Sequence, residues 1–228
     1  MTSFKLKIIA IITMVCDHLG DALFSVVSPL NFIGRMAFPI FAFQISEGYI
    51  HTKNIKRYLL RIFVFAIISQ IPFYLFIHKF FGKSGLNIFF TLFLGLISIL
   101  LYDKIKKKVK SKNKIINVLA ILPAIILSII GQLLDVDYGW WGVILIFVFF
   151  VFKDNKIKTV IAFLILCIIK YSIEIILNGF SYLYIQLMLW TMLPIALIVL
   201  YNGEQGRKIK YLSYAFYPIH LLLLYFLF

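Results

Sequence analysis

The stretch YLLRIFVFAIISQIPFYLFI, residues Tyr58–Ile77, decides the fold of this chain. It is an apolar run in which Arg61, near its start, is the single charged residue. A hydrocarbon core about 30 Å thick requires about 20 apolar residues in a helix, and this run meets that length. It also lacks the strict alternation of a membrane β-strand. Because lipid offers no partners to backbone N–H and C=O groups, the segment must satisfy them internally, and we predict a transmembrane helix.

The rest of the chain repeats this pattern. Of its 228 residues, 63% are hydrophobic and 14% are charged, whereas a soluble domain is roughly 45–50% apolar. We predict an all-α, polytopic membrane bundle of about nine transmembrane helices, forming a single domain over residues 1–228. The predicted spans are Phe4–Val26, Leu30–Ile50, Tyr58–Ile77, Leu86–Leu101, Ile115–Gly131, Trp140–Phe152, Thr159–Leu177, Tyr182–Tyr201 and Tyr211–Phe228.

The net charge of +14 is distributed as a membrane topology requires. Basic residues occupy every second connection, at Lys5/Lys7, Lys53 to Arg61, Lys104–Lys114, Lys153/Lys156/Lys158 and Arg207/Lys208/Lys210. The other connections hold Lys79 and Lys83, offset by Asp135 and Asp137. By the positive-inside rule, we predict a cytoplasmic amino terminus and an external carboxyl terminus. The expected location is a bacterial cytoplasmic (inner) membrane, crossed many times.

The lysine-rich run Lys104–Lys114 has two interpretations. It is either a topogenic loop that faces lipid headgroups or a site for an anionic ligand such as nucleotide phosphates; nucleic acid is not an expected partner. Cys16 and Cys167 fall inside predicted spans, so they do not indicate a secreted disulfide framework. The amino-terminal segment resembles a signal peptide but lacks a small-residue cleavage site and carries Asp17 and His18, which favours a retained helix.

Ionisable residues inside spans are costly and usually functional. In the first span, Met14, Asp17, His18 and Asp21 share one helical face, since they are spaced i, i+3, i+4 and i+7. Other spans add polar residues. Arg35, Gln70, Asn87 and Glu174 are predicted at nearly the depth of His18, and His220 somewhat deeper toward the cytoplasm. Lys170 and Tyr217 lie in the same spans as Glu174 and His220. Two structural alternatives stay open, because Asp17 and Arg35 could form a packing ion pair and Lys170 and Glu174 could simply pair with each other.

A second polar group lies toward the predicted cytoplasmic ends of the second and third spans, and consists of Gln44, Glu47, His51, Lys53, Arg57 and Arg61. Its cations are explained either by topology or by a phosphate-binding role.

Four segments of the chain resemble the TraX family, known for acetylating the amino terminus of F-type pilin. They are IAIITMVCDHLG (Ile9–Gly20), IGRMAFPIFAFQISEGYIHTKNIKRYLLRIFVFAIISQIPF (Ile33–Phe73), LNIFFTLFLG (Leu86–Gly95) and FYPIHL (Phe216–Leu221). The last is shared with the wider acyltransferase-3-type membrane acyltransferases. The resemblance covers roughly the first hundred residues and the carboxyl end.

The resemblance implies a membrane acyltransferase that uses cytoplasmic acetyl-CoA and acetylates an amine or hydroxyl, on a peptide or glycan, at the outer side. Carried over by motif, the implied site residues are Asp17, His18, Arg35, Glu47, Gly48, Thr52, Asn87 and His220. The Lys-, Ile- and Asn-rich composition is typical of a low-G+C bacterium, so F-pilin itself is not the expected acceptor.

The hypothesis that follows is direct transfer with His18 as general base. Asp17 or another carboxylate would orient its imidazole, and Arg35 or Asn87 would stabilise the oxyanion. The cytoplasmic residues Glu47, His51, Thr52, Lys53, Arg57 and Arg61 would bind the CoA moiety. A ping-pong route through acetyl-histidine stays open. The alternatives are a proton-coupled transporter and a non-catalytic assembly factor. Four scattered histidines do not make a metal-ligand set, so no metal is expected.

Overall fold

A computed structural model describes residues 1–108, 114–207 and 210–228. Across these residues the chain is helical and has no β-strand beyond one isolated bridge between Leu86 and Val136. The helices are α1 (Ser3–Leu23), α2 (Pro29–Gly34), α3 (Ala37–His51), α4 (Ile55–Phe81), α5 (Ile88–Lys108), α6 (Lys114–Leu133), α7 (Gly139–Val151), α8 (Lys156–Asn178), α9 (Tyr182–Met192), α10 (Pro194–Val199) and α11 (Lys210–Leu227). The predicted all-α class is confirmed.

Four helical segments of the described chain are long and apolar enough to cross a bilayer: Ile55–Phe81, Ile88–Lys108, Lys156–Asn178 and Tyr182–Val199. Their outer surfaces are apolar, as shown by Ile71, which is 70% exposed, and Ile176, which is 79% exposed. Such exposure would be unfavourable in water but suits contact with lipid. The structure is therefore a helical membrane bundle.

Two predicted spans are each divided into two helices, and each division is explained by its own proline. The predicted span Leu30–Ile50 is interrupted at Arg35 and Met36, between α2 and α3. Pro39 cannot donate a hydrogen bond to the Arg35 carbonyl and its ring clashes with that group. Pro194 interrupts the predicted span Tyr182–Tyr201 in the same way, between α9 and α10. The first break places Arg35 at a helix junction inside the bundle.

Connections that the charge pattern assigns to the same membrane face are in contact in the structure. At one face, the connections before α5 and before α7 are joined because Leu86 N–H donates to Asp135 O (3.0 Å) and Asp137 N–H donates to Leu86 O (2.8 Å). At the other, Ser3 N–H donates to Glu204 O (2.8 Å). This grouping matches the predicted alternation of connections; the cytoplasmic assignment of the basic face stays a prediction. Residues 109–113 of the Lys104–Lys114 run, and Lys208, lie outside the described residues.

The main hydrophobic core is formed largely by residues of α3, α4, α5, α7 and α11. Small residues allow close helix approach, as is usual in membrane bundles. Gly95 of α5 lies directly against Ile146 of α7. Gly48 of α3 lies against the Tyr58 ring of α4. Beside this core, α1, α3, α4, α5 and α11 enclose a cavity lined by both polar and apolar side chains.

Candidate functional site

The cavity has a volume of about 290 Å³ and extends along α1 from Lys7 to Asp21. At a rise of 1.5 Å per residue these positions are roughly 21 Å apart. The polar side chains on its wall are Lys7, Asp17, His18, Asp21, Arg35, Gln44, Tyr58, Asp137, Tyr138, Ser213, Tyr214 and Tyr217. The shared face predicted for Met14, Asp17, His18 and Asp21 is found, since all four line this cavity.

The two histidines predicted from distant segments are in direct contact. His18 Nδ1 lies 2.7 Å from His220 Nε2, and His220 Nδ1 lies 2.9 Å from the Phe216 carbonyl oxygen. A carbonyl only accepts, so with both rings neutral His220 carries its proton on Nδ1 and presents a lone pair at Nε2. His18 Nδ1–H then donates to that lone pair. This arrangement leaves the lone pair of His18 on Nε2, which is the form a general base requires.

Asp17 and Arg35 form an ion pair in which one guanidinium nitrogen contacts both carboxylate oxygens. Arg35 Nη2 lies 2.5 and 2.6 Å from the two carboxylate oxygens of Asp17. Asn31 supports the pair because its Nδ2 group donates to the Asp17 backbone carbonyl (3.0 Å) and to Asp21 Oδ1 (2.6 Å). Asn31 is buried. The ion pair considered from the sequence is therefore formed, and it lies on the cavity wall beside the histidines.

One predicted contact is wrong. Asp17 does not orient the His18 imidazole, because its carboxylate is bound to Arg35 and His18 is bound to His220. Adjacent residues of an α-helix project about 100° apart, so Asp17 and His18 face different neighbours. The ring of His18 is held by another imidazole instead of a carboxylate.

Asn87 does not line the cavity. Its Nδ2 group donates to Ala66 O (2.7 Å) and to Gln70 Oε1 (2.8 Å), and its Oδ1 accepts from Phe89 N–H (3.0 Å). These bonds join α4 to the start of α5. The structure thus gives the Asn87 amide partners that leave it no free donor for an oxyanion.

The predicted CoA-binding residues lie outside the cavity wall, beyond its Lys7 end. Lys53 and Arg57 are exposed, Thr52 is half-buried, and His51 pairs with Glu47 at 3.4 Å. Arg61 lies behind the wall, with its guanidinium over two cavity-lining rings, Tyr58 at 5.1 Å and Tyr214 at 5.5 Å. The wall itself is formed at this end by side chains not predicted for that role: Lys7, Gln44, Tyr58 and Ser213.

A second cavity of about 530 Å³ opens at the opposite face. It shares Arg35, Phe81, Asp137 and Tyr138 with the first cavity, among other residues. Its further charged lining residues are Lys83, Asp135, Lys170 and Glu174. The two cavities therefore adjoin along a shared wall that includes Arg35.

Lys170 and Glu174 have separate partners. Lys170 Nζ lies 4.3 Å from the centre of the Tyr171 ring, and Glu174 Oε2 accepts from Asn178 Nδ2 at 3.1 Å.

Sequence reasoning did not select Asn31, Asp137 or Tyr138 as site residues. In the sequence, Asp137 falls in a connection between two predicted spans, and Asn31 lies among apolar residues at the start of a span, so neither position indicates a site. Only the tertiary fold brings both beside α1 and Arg35. Within the described part of the chain, no group of three or more His, Cys, Asp or Glu side chains could hold a metal ion.

Fold and site together define a polytopic helical membrane protein with a buried polar centre reached from two cavities. The chain belongs to the TraX family: the family's sequence model, described as TraX protein, matches residues 3–228. It is also similar to the probable fimbrial assembly protein FimC, serogroup H1, of Dichelobacter nodosus. The two are 26% identical over 245 residues, which cover 98% of this chain and 94% of the relative. No solved structure matches the chain significantly.

Proposed function

We propose that this protein is an integral-membrane acetyltransferase that transfers an acetyl group from cytoplasmic acetyl-CoA to an amine or hydroxyl at the outer side. The main support is the His18–His220 pair, whose hydrogen-bond pattern leaves a basic nitrogen beside a cavity that runs toward the basic face. Membership of the TraX family supports this proposal. The fimbrial assembly name of the Dichelobacter relative is consistent with an acceptor peptide that belongs to a surface fibre.

The donor would enter from the Lys7 end. CoA phosphates suit the cations that surround this end, with Lys7 on the wall, Arg61 behind it, and Arg57 and Lys53 exposed beyond it. Arg57 and Arg61 are four residues apart on α4 and so share one helical face. The adenine ring would stack on aromatic side chains of the mouth, and the thin pantetheine arm would extend along α1 toward His18.

The acceptor would enter through the second cavity. Its polar lining suits a peptide terminus or a sugar, and it adjoins the donor cavity along the shared wall that includes Arg35. An acceptor that reaches this junction from one side lies next to a thioester delivered from the other. This two-sided arrangement would let the protein use a cytoplasmic donor without moving the acceptor across the membrane.

The chemistry proposed is direct transfer. The neutral acceptor nitrogen or oxygen attacks the thioester carbon, and His18 Nε2 takes its proton. The tetrahedral intermediate then collapses, the C–S bond breaks, and the imidazolium returns the proton to the departing CoA sulfur. His220 Nε2 accepts from His18 Nδ1–H throughout and stabilises the transient imidazolium. Acceptor and acetyl-CoA are converted to acetylated acceptor and free CoA.

Arg35 would assist at the junction. Its Nη2 group is committed to Asp17 and its Nε–H to the Asn31 carbonyl, which leaves the Nη1 hydrogens for a developing oxyanion. The ion pair holds this guanidinium in place, so Asp17 acts through Arg35.

The test is acetyl-CoA binding and free-thiol release by purified full-length protein, with candidate peptides and sugars as acceptors. We compare wild type with His18→Ala, and use His78→Ala as the matched control because His78 is exposed at the end of α4. His18→Ala should bind acetyl-CoA but lose activity by about 10²–10⁴-fold, whereas His78→Ala should match wild type. Absence of acetyl-CoA binding by wild type would refute the enzyme reading and favour a proton-coupled transporter.

A further inference from the structure

We propose that the Tyr217 hydroxyl is a second catalytic group, which donates a hydrogen bond to the acetyl thioester carbonyl. This inference rests on the acetyltransferase function proposed above. It assigns the hydrogen bond to the ground-state carbonyl to a residue of α11. Arg35 would add a second donor to the same oxygen only as negative charge develops on it.

Tyr217 stands next to both histidines. It is three residues before His220 on α11, so both project from one helical face. Its ring centre lies 6.1 Å from that of His18 and 5.6 Å from that of His220, in edge-to-face geometry. Tyr217 also lines the donor cavity. A ligand group that reaches His18 would therefore also lie near this side chain.

The Tyr217 hydroxyl is buried, its oxygen faces the Ile88 N–H at the start of α5, and its own proton has no acceptor among the described residues. The residue is 4% exposed. Buried hydroxyls nearly always have a partner, since leaving one unpaired is unfavourable. Tyr171 shows the usual case, because its hydroxyl lies 2.7 Å from Thr191 Oγ1. Three other buried polar atoms also lack a partner: Ser46 Oγ, Ser69 Oγ and Arg61 Nε. Among the described residues, Tyr217 is the one of these four that lines a cavity, so its hydroxyl is the one that a ligand can reach.

A carbonyl oxygen is the group of the donor that suits this hydroxyl. Phe89 lies edge-on to the Tyr217 ring at 5.4 Å, and Phe76 lies edge-on to His18 at 5.4 Å. These aromatic surroundings provide a low dielectric, in which a donor aimed at a developing negative charge is strengthened. The Asn87 amide, predicted for this role from the sequence, is committed to α4.

In the transfer step the hydroxyl keeps its own proton. As the bond from the acceptor to carbon forms, the carbonyl π electrons move to oxygen, and the hydrogen bond from Tyr217 shortens. As the C–S bond breaks, the carbonyl reforms. His18 carries the acceptor proton to the sulfur, so Tyr217 takes part in no proton transfer.

The test uses acetyl-CoA and S-ethyl-CoA, a thioether of the same length that has no carbonyl. Binding of each to purified full-length wild type and Tyr217→Phe is measured by calorimetry. Wild type should bind acetyl-CoA roughly fivefold more tightly than S-ethyl-CoA, as expected for one hydrogen bond, and Tyr217→Phe should bind both equally. With an active acceptor, Tyr217→Phe should lower kcat by about 10²–10³-fold.

Tyr171→Phe is the matched control, because it removes a buried tyrosine hydroxyl outside both cavities; it should keep the preference for acetyl-CoA. Infrared spectra of wild type with carbonyl-labelled acetyl-CoA provide a measurement independent of any variant, and the bound carbonyl should absorb at lower frequency than the free one.

Equal binding of both ligands by wild type, a preference retained in Tyr217→Phe, or an unshifted carbonyl band would overturn the role of Tyr217. In those cases the acetyltransferase function would still stand. Failure of wild type to bind either ligand would instead refute the proposed function, and this inference with it.

Discussion

The contact between His18 and His220 joins two residues separated by 202 positions in the sequence. A chain of three groups sets the proton positions: the Phe216 carbonyl accepts from His220, and His220 accepts from His18. The orienting group is thus an uncharged imidazole. In a membrane interior this choice avoids the cost of a further buried carboxylate beside the base.

We expect His220→Phe to impair the orientation of the His18 imidazole without weakening the binding of acetyl-CoA. Phenylalanine retains a ring that can stack on Phe216, as His220 does at 5.2 Å, but it offers no acceptor to His18 Nδ1–H. Without this partner His18 samples both tautomers and ring orientations, so kcat should fall by about 10²-fold while the Kd for acetyl-CoA stays within twofold. Thiol-release kinetics and calorimetry provide the two values. Wild-type kcat in His220→Phe would show that His18 needs no orienting group.

From the sequence, Asp17 and Arg35 have two interpretations, as an ion pair that fixes packing or as residues of the functional site. The structure shows an ion pair that is supported by Asn31. The pair lies on the wall of the first cavity and, through Arg35, on that of the second. Removing one partner of such a buried pair leaves an uncompensated charge. We therefore expect stability and the proposed activity to depend on the same contact.

Among the elements, the short helix α2 contacts the site through Asn31. Pro29 is its first residue, where the missing N–H has no cost, and Ser28 N–H donates to Asn31 Oδ1 at 2.9 Å. The other end of the Asn31 side chain reaches α1. Helix α2 therefore holds Asp17 and Asp21 through hydrogen bonds from Asn31. Pro39 prevents α2 and α3 from forming one continuous helix, which leaves Arg35 at the junction beside Asp17.

We expect Gly34→Ala to disrupt this arrangement. A Cβ atom at Gly34 would overlap the Asp17 carboxyl group, so α2 must move away from α1 or the ion pair must break. Overpacking of this kind costs about 1–3 kcal/mol, and activity should fall as well. Thermal unfolding in detergent measures the first effect and thiol release the second.

Gly131→Ala is the control for this prediction. Gly131 also lies in a helix, but the nearest atoms to its added Cβ are at 3.4 Å, which is ordinary contact. Its stability should be unchanged or raised by up to about 1 kcal/mol through helix propensity. A Gly34→Ala protein as stable and active as Gly131→Ala would contradict the proposed role of the α1–α2 contact.

At the scale of the whole molecule, the predicted topology can be tested by labelling. Lys53→Cys places a thiol between α3 and α4, and Lys83→Cys places one between α4 and α5. In intact cells, a membrane-impermeant maleimide should label Lys83→Cys but reach Lys53→Cys only after permeabilisation. Wild type controls for Cys16 and Cys167, which lie within α1 and α8. The reverse pattern would place the donor cavity at the outer face.

Most of the helical architecture could be predicted from particular residues. Apolar runs such as Tyr58–Ile77 are sufficient by length, and the basic connections mark alternate helix ends. The divisions at Arg35–Met36 and at Leu193 were missed, because a proline within an apolar run signals either a kink or a break and only packing decides between them.

The sequence by itself determined a helical membrane protein, the TraX family, and a polar face on α1 that carries Asp17 and His18, because hydrophobic length and helical spacing are local properties. Only the tertiary structure decided the pairing of these residues. In the structure His18 contacts His220, Asp17 pairs with Arg35, and Asn87 is hydrogen-bonded to α4. Asn31, Asp137 and Tyr217 also lie at the site. The physical reason is that a side chain's partner depends on how distant helices cross, and spacing along one helix does not specify that crossing.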